Sequence, residues 1–153
     1  MGKKTISAGI FILRKDDKLL ICHPTGHVQT LWSIPKGKVE ENETEIDAAI
    51  RETFEETNID LKETTNFIIH ELDPVNYTNK KKILKPFLFV EKSDSNIDWE
   101  NIEIKCNSFV SEARGNFLEM DDFKWVSFEE AIEKLHEAQV RCIPIIKQKN
   151  FKY

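Results

Sequence analysis

One segment constrains the fold more than any other, because residues 43–57 predict an amphipathic helix with an apolar and an acidic face. The positions that recur at helical spacing, and that we expect to be buried, are Ile46, Ala49, Ile50, Thr53 and Phe54. Glu52, Glu55 and Glu56 stand at positions i, i+3 and i+4 and share the roughly opposite face. Like charges at this spacing destabilise an isolated helix, so this face is either solvated or neutralised by a cation.

A hard divalent cation is the neutralising partner that this residue set favours. Mg²⁺ takes carboxylate oxygens and keeps positions open for water and substrate phosphates. A glutamate cluster without Cys or His fits Mg²⁺ or Mn²⁺ better than Zn²⁺. His23 and His27 are four residues apart, but Pro24 and Gly26 make a helix there unfavourable and no further zinc ligands are evident. A loop histidine that contacts substrate is the better interpretation of this pair.

The rest of the chain predicts strands and a second helix. Residue preferences and turn signals predict the strands at residues 5–13, 18–22, 66–71, 83–90 and 122–126. Residues 23–30 contain Pro24 and Gly26 and predict a loop. Pro86 predicts that its strand lies at a sheet edge or contains a bulge. Residues 127–138 predict a helix that opens with a capping box. This pattern indicates an α/β fold in which helices cover a mixed sheet.

Length and charge narrow the class of protein. A chain of 153 residues predicts a single domain spanning 1–153, and its net charge of −5 argues against a general nucleic-acid binder. The longest apolar runs, such as residues 8–13, are too short to cross a bilayer, and no secretion signal is evident at residues 1–4. The odd, widely spaced cysteines Cys22, Cys106 and Cys142 predict free thiols in a reducing compartment. We therefore expect a cytoplasmic protein without membrane association.

Residues 37–59 resemble the Nudix box, which is written GX5EX7REUXEEXGU with U a bulky aliphatic residue. The matching positions are Gly37, Glu43, Arg51, Glu52, Glu55, Glu56 and Ile59. Two positions depart from the box. Thr53 replaces an aliphatic residue but can still pack, and Asn58 replaces the glycine that ends the helix, where Asn is the next-best left-handed cap. Neither departure removes a metal ligand.

The resemblance implies a Nudix fold, with a mixed sheet sandwiched between helices, and Mg²⁺-dependent hydrolysis of a pyrophosphate bond (Mn²⁺ being the alternative metal). It implies that the metal ligands are Glu52, Glu55 and Glu56, joined by the Gly37 carbonyl, by Glu43 and by Glu119 from a later loop. Arg51 would orient a carboxylate through a paired contact. The general base is either a box glutamate or Glu119, and the alternative for Glu119 is a solvated acidic loop.

Two further segments resemble dinucleoside polyphosphate hydrolases of the family. In residues 31–38, Trp32, Lys36 and Lys38 are the expected substrate contacts, against the alternative of a core tryptophan and solvated lysines. Tyr77 is expected to stack on an adenine, and Lys80 to bind polyphosphate. Residues 7–9, 23–26, 32–37, 107–109 and 137–139 instead resemble a bacterial Nudix subgroup of predicted NTP pyrophosphohydrolases, whose name does not specify the substrate.

The expected substrate is a nucleoside diphosphate linked to another group, with dinucleoside polyphosphates such as diadenosine tetraphosphate first. ADP-ribose, (deoxy)nucleoside triphosphates and RNA 5′ ends are the alternatives. A different class of function is a Nudix module that senses a nucleotide without cleaving it. Such modules usually lose box carboxylates, whereas this chain keeps Glu52, Glu55 and Glu56. The expected partner is a nucleotide-type small molecule, and the expected assembly is a monomer or homodimer.

Overall fold

A computed structural model describes residues 4–77, 81–110 and 115–149 of the chain. Its strands are β1 (Thr5–Leu13), β2 (Leu19–Pro24), β3 (Lys36–Lys38), β4 (Phe67–Glu71), β5 (Val75–Asn76), β6 (Lys82–Glu91) and β7 (Met120–Val126). Its helices are α1 (Glu45–Thr57), α2 (Phe128–Lys134), α3 (Glu137–Val140) and α4 (Ile143–Lys149), with a 3₁₀ turn at Trp99–Asn101. Within these ranges, every helix is too short or too polar to cross a membrane.

The strands form one mixed sheet in the order β4-β6-β1-β2-β7. Strands β1 and β6 run parallel in continuous register from the pair Thr5 and Lys82 to the pair Leu13 and Val90. The other pairings are antiparallel, and two short strands add to the sheet, β3 beside β1 and β5 beside β6. Strand β3 therefore reaches the sheet directly before the segment that leads into α1.

Side chains of β1 alternate between two hydrophobic cores, as the pleat of a strand requires. Ile10 and Ile12 pack with Ala48 of α1 on one face of the sheet. Phe11 packs on the other face with Ile146 of α4 and the residues around α2. Helices thus cover both faces of the mixed sheet, which confirms the predicted α/β/α architecture.

Of the two alternatives predicted for Pro86, a sheet edge and a bulge, the edge is wrong, whereas the pairing of β6 shifts by one residue opposite Pro86, between β4 and β5. Its strand β6 lies between β4 and β1, and Pro86 is paired with Gly9 of β1. On the other side its carbonyl accepts a hydrogen bond from Leu72 N–H at 3.1 Å. Strand β4 ends at Glu71 and β5 begins at Val75, so the missing N–H of Pro86 falls where the neighbouring strand is interrupted. The Leu72 carbonyl accepts Lys85 Nζ at 3.0 Å, so it has a donor even though proline offers no N–H.

The predicted helix over residues 127–138 is divided in two. Ser127 caps α2 as predicted, since its hydroxyl accepts the Glu130 N–H at 3.1 Å. The helix ends at Lys134 because the backbone there pairs with Trp32 instead of continuing the helix. Trp32 N–H donates to Lys134 O at 2.9 Å, and His136 N–H donates to Trp32 O at 3.1 Å. His136 then caps α3. This long-range pairing with Trp32 is absent from any local sequence pattern.

Candidate active site

Helix α1 begins and ends at capping residues. Thr44 accepts the Asp47 N–H at 3.2 Å, so the helix starts at Glu45, two residues later than predicted. Asn58 adopts the left-handed conformation with φ of 67° and donates its N–H to Phe54 O, which confirms its predicted capping role. Asn107 donates to the Asn58 side chain at 2.9 Å and fixes a distant loop to this end of the helix.

The buried arc of α1 differs from the predicted one. Phe54 was expected in the core but is 43% exposed, whereas Glu56 is only 1% exposed. Thr53 is fully buried and donates its hydroxyl to Ala49 O at 2.8 Å. The arc is rotated toward Glu56 because α1 packs on β3 as well as on the face of the sheet. A charged side chain of the box is therefore inside the protein.

Strand β3 brings Gly37 against the acidic face of α1. A Cβ atom on Gly37 would lie 2.0 Å from the carboxyl carbon of Glu52, which is far too close for two non-bonded atoms. Glycine is thus required for the close approach of the strand to Glu52. Beside it, the Lys36 N–H donates to Glu56 Oε1 at 3.3 Å. The spacing between Gly37 and the helix places backbone and carboxylates in one site.

Arg51 holds three carboxylates together. Its Nε and Nη2 donate to the two carboxylate oxygens of Glu43 at 2.8 and 3.0 Å, a bidentate pair. Its Nη1 donates to Glu52 at 2.9 Å and to Glu55 at 3.0 Å, and Nη2 also reaches Lys38 O at 3.0 Å. The hydrogen bond from Arg51 lowers the pKa of Glu43. Glu43 therefore serves as the anchor that orients Arg51 toward the other two carboxylates.

The acidic face of α1 and Glu119 together carry more negative charge than Arg51 and Lys36 balance. Burial and then repulsion from Glu52 raise the pKa of Glu55. Burial raises the pKa of Glu56 well above its usual value, with Glu52 and Glu119 adding repulsion and Lys36 opposing it. Burial and the charge of Glu55 raise the pKa of Glu119. Several carboxylates this close together repel one another when ionised, so the arrangement indicates that a cation binds here.

Glu119 comes to the site through its backbone. Its carbonyl accepts the Thr25 N–H at 2.9 Å, and its own N–H donates to Ser108 O at 3.0 Å. Two segments that carry the family resemblance, residues 23–26 and 107–109, thus fix the backbone of this residue. The structure brings the later-loop glutamate to the acidic face of α1, where it raises the pKa of Glu56.

The donor set fits a divalent cation by its chemistry. Glu52, Glu55, Glu56 and Glu119 offer only carboxylate oxygens, which Mg²⁺ and Mn²⁺ prefer. In the ranges 4–77, 81–110 and 115–149, no three acidic, His or Cys side chains are grouped so as to hold an ion as they stand. Arg51 binds Glu43, Glu52 and Glu55 in this arrangement. The assignment of individual ligands, Gly37 and Glu43 included, stays a prediction.

An open cavity of about 1150 Å³ extends from the carboxylates. Its walls include Glu56, Glu119 and four of the five residues predicted to contact substrate, namely Trp32, Lys36, Lys38 and Tyr77. Lys80, the fifth, lies outside the described residues. Trp32 is 3% exposed and belongs to the hydrophobic core as well as to the cavity wall. The cavity is large enough for a nucleotide-sized ligand.

Sequence reasoning missed several residues of the cavity wall. The unpredicted members include Lys82, Phe109, Phe117, His136 and Gln139. The stretch 137–139 was singled out by resemblance, but without a role. His136 follows the unforeseen break between α2 and α3, so no local pattern indicated it. Its ring stacks on Tyr77 with 4.7 Å between centroids.

His23 is a structural residue, and the prediction that it contacts substrate from a loop is wrong for this histidine. It lies in β2 and is 2% exposed, while His27 lines the cavity. Its Nδ1 is 2.6 Å from Asp121 Oδ1 and its Nε2 is 3.0 Å from Val28 O. Burial by itself lowers the pKa of His23, but these two oxygen partners outweigh it and raise the pKa above 6.5.

This pair predicts a pH-dependent stability. A histidine whose pKa is raised by folding stabilises the fold fully below its unfolded pKa of about 6.5, and that stabilisation is lost as the pH rises through the folded value. We expect the free energy of unfolding in urea to fall in the wild type as the pH rises from about 6.5 through the folded pKa of His23, and to fall less in Asp121→Asn. Asp94→Asn, an exposed change, is the control. Parallel curves for all three proteins would contradict the assignment.

Comparison with known proteins places the site in a family context. The family model described as NUDIX domain matches residues 3–145. An RNA pyrophosphohydrolase of Pelagibacter ubique (strain HTCC1062) is 23% identical over 142 residues, which cover 92% of this chain and 87% of that protein.

Two solved structures share the fold. The Ap4A hydrolase of C. elegans, in a binary complex, superposes with a TM-score of 0.66 at 25% identity, covering 94% of this chain and 96% of that one. A bifunctional NMN adenylyltransferase/ADP ribose pyrophosphatase of Francisella tularensis, complexed with AMP and a manganese ion, gives a TM-score of 0.70 at 23% identity. The superposed region spans 99% of this chain and 43% of the Francisella protein.

Proposed function

The chain belongs to the NUDIX domain family, and from that membership we propose that it is a Mg²⁺-dependent pyrophosphohydrolase of dinucleoside polyphosphates. One observation carries the proposal: Glu56 and Glu119 line the same cavity as Lys36, Lys38 and Tyr77. Carboxylates that hold a cation, lysines that bind phosphates and an aromatic residue are the groups that hydrolysis of a polyphosphate between two nucleosides requires.

In this proposal each group of residues has a separate role in the reaction. Glu52, Glu55, Glu56 and Glu119 would hold Mg²⁺, which when bound polarises phosphate oxygens and acidifies water. Arg51 keeps Glu52 and Glu55 in place through its hydrogen bonds at 2.9 and 3.0 Å. Lys36 and Lys38 neutralise charge on the polyphosphate. The proposed general base is either a glutamate of the box or Glu119, which lines the same cavity as Glu56.

RNA 5′ ends are the second candidate, favoured by the relationship to the Pelagibacter RNA pyrophosphohydrolase. The net charge of −5 is the observation against it, since a protein that holds an RNA chain normally carries a basic surface. The first proposal has the support of the C. elegans Ap4A hydrolase, which shares nearly its full length with this chain.

A substrate panel separates the candidates. The purified protein is incubated with Mg²⁺ or Mn²⁺ and with diadenosine tetraphosphate, ADP-ribose, nucleoside triphosphates or a 5′-triphosphorylated RNA, and the products are resolved by ion-exchange chromatography. We expect the highest kcat/KM for diadenosine tetraphosphate, with two nucleotides as products. Faster turnover of the RNA would favour the second candidate. Binding of a nucleotide without turnover of any substrate would favour a sensor module.

A further inference from the structure

Gln139 is a fully buried polar residue of α3 for which the reaction has no assigned role. Its side-chain amide makes three hydrogen bonds that join three separate segments. Oε1 accepts the Ile34 N–H at 2.9 Å, and Nε2 donates to Ser33 Oγ at 3.0 Å and to the Tyr77 hydroxyl at 3.1 Å. The amide thus reaches from the core to a residue of the substrate cavity.

The backbone fixes which way this amide points. Rotating it by half a turn would place its NH₂ group against the Ile34 N–H, so two donors would face each other. Nε2 therefore faces the two hydroxyl groups and donates to both. The Ser33 hydroxyl directs its own proton to Ile34 O at 2.7 Å, which leaves its oxygen as the acceptor for Gln139.

The Tyr77 hydroxyl is consequently an acceptor from Gln139, and its own proton is directed elsewhere. Among the residues that the structure describes, Gln139 is the one that hydrogen-bonds to this hydroxyl. The ring is held by its stacking on His136, whose Nδ1 in turn accepts the Ala138 N–H at 3.1 Å. Because Tyr77 lines the cavity, its hydroxyl can donate this proton to a ligand there.

We propose that Gln139 is a positioning residue that fixes the Tyr77 hydroxyl as a hydrogen-bond donor to an acceptor atom of the bound nucleotide. This inference rests on the proposed function, since it concerns the same cavity. A ligand that presents an acceptor to Tyr77 is favoured, and one that presents a donor or an apolar group leaves a polar group unpaired. The buried amide thereby contributes to substrate selection through the Tyr77 hydroxyl.

A double-mutant cycle tests the coupling. Tyr77→Phe should raise KM about tenfold with kcat within about twofold, since one hydrogen bond to a charged ligand is lost. Gln139→Met removes the donor and should raise KM about threefold, because the hydroxyl is then free to turn. The double variant should match Tyr77→Phe. Gln148→Met, an exposed change in α4, is the matched control and should leave KM unchanged.

A second variant reverses the polarity of the contact. In Gln139→Glu the Ile34 N–H keeps an acceptor, but an ionised carboxylate accepts the Tyr77 proton instead of donating to the hydroxyl. At alkaline pH its KM should approach that of Tyr77→Phe, and adding Tyr77→Phe should change nothing further. Additive effects in either cycle, or an unchanged KM in either folded variant, would overturn the proposal. Circular dichroism establishes which variants are folded.

A spectroscopic readout needs neither catalysis nor a change at Gln139. Glutamine labelled with ¹⁵N gives side-chain amide signals from Gln29, Gln139 and Gln148. In Tyr77→Phe we expect the Gln139 signals to shift and to exchange faster with water, while those of Gln29 and Gln148 stay in place. An unmoved Gln139 signal overturns the proposal. If the signal moves but no nucleotide is turned over, the hydrogen bond stands and the proposed function fails separately.

Discussion

Glu56→Gln is expected to reduce kcat by about a thousandfold while leaving the protein at least as stable as the wild type. Loss of a metal ligand removes several kcal/mol of transition-state stabilisation, and each 1.4 kcal/mol corresponds to about tenfold in rate. Glu56 is 1% exposed, and burial raises its pKa well above the usual value, so its charge is unfavourable in the fold. Glutamine keeps the size and can still accept the Lys36 N–H.

Opposite changes in activity and stability are what distinguish a ligand from a structural residue. We would measure kcat for the best substrate of the panel, the affinity for Mn²⁺ by calorimetry, and the free energy of unfolding in urea. Asp47→Asn is the matched control, because it is an exposed acid on the same helix. Turnover in Glu56→Gln equal to that of the control would refute the role of this residue in the metal site.

Gly37→Ala is expected to reduce kcat about a hundredfold with a loss of stability of only about 1 kcal/mol. The added Cβ would lie 2.0 Å from Glu52 Cδ and 2.2 and 2.3 Å from its two carboxylate oxygens. Every atom in conflict belongs to the end of one flexible side chain. The carboxylate therefore moves aside at little energetic expense, and this displacement takes Glu52 away from Arg51 and the proposed metal.

Gly9→Ala provides the contrast in the neighbouring strand. Its Cβ would lie 2.7 Å from the backbone oxygen of Pro35 and from Lys36 Cβ, so β1 and the segment leading to β3 would have to separate. We expect a larger loss of stability in this variant than in Gly37→Ala, measured by urea unfolding. If Gly37→Ala lost mainly stability and kept its kcat, the close approach would serve packing and leave Glu52 without the proposed role.

Local sequence determined the helix that carries the site. Apolar and acidic positions at helical spacing predicted α1, which ends at Thr57 as expected. Asn58 supplies the left-handed cap in place of the glycine of the Nudix box. The i, i+4 spacing placed Arg51 within reach of Glu55, whereas its hydrogen bond to the adjacent Glu52 does not follow from helix geometry, because neighbouring residues do not share a helix face. Strand β1 was likewise predicted over its full range, because its residues strongly favour strands.

Only the tertiary structure decided which of these groups are buried and what joins them. Glu56 is inside and Phe54 outside because β3 packs against one flank of α1, a contact that a helical wheel does not contain. The backbone hydrogen bonds of Trp32 end α2 and position His136. Pro86 lies inside the sheet, opposite the gap between β4 and β5. The periodicity of apolar residues indicates which way a side chain points from its own helix or strand. The neighbour that covers it comes from distant parts of the chain, so the charge balance of the site and the bonding of Gln139 became visible only in the folded protein.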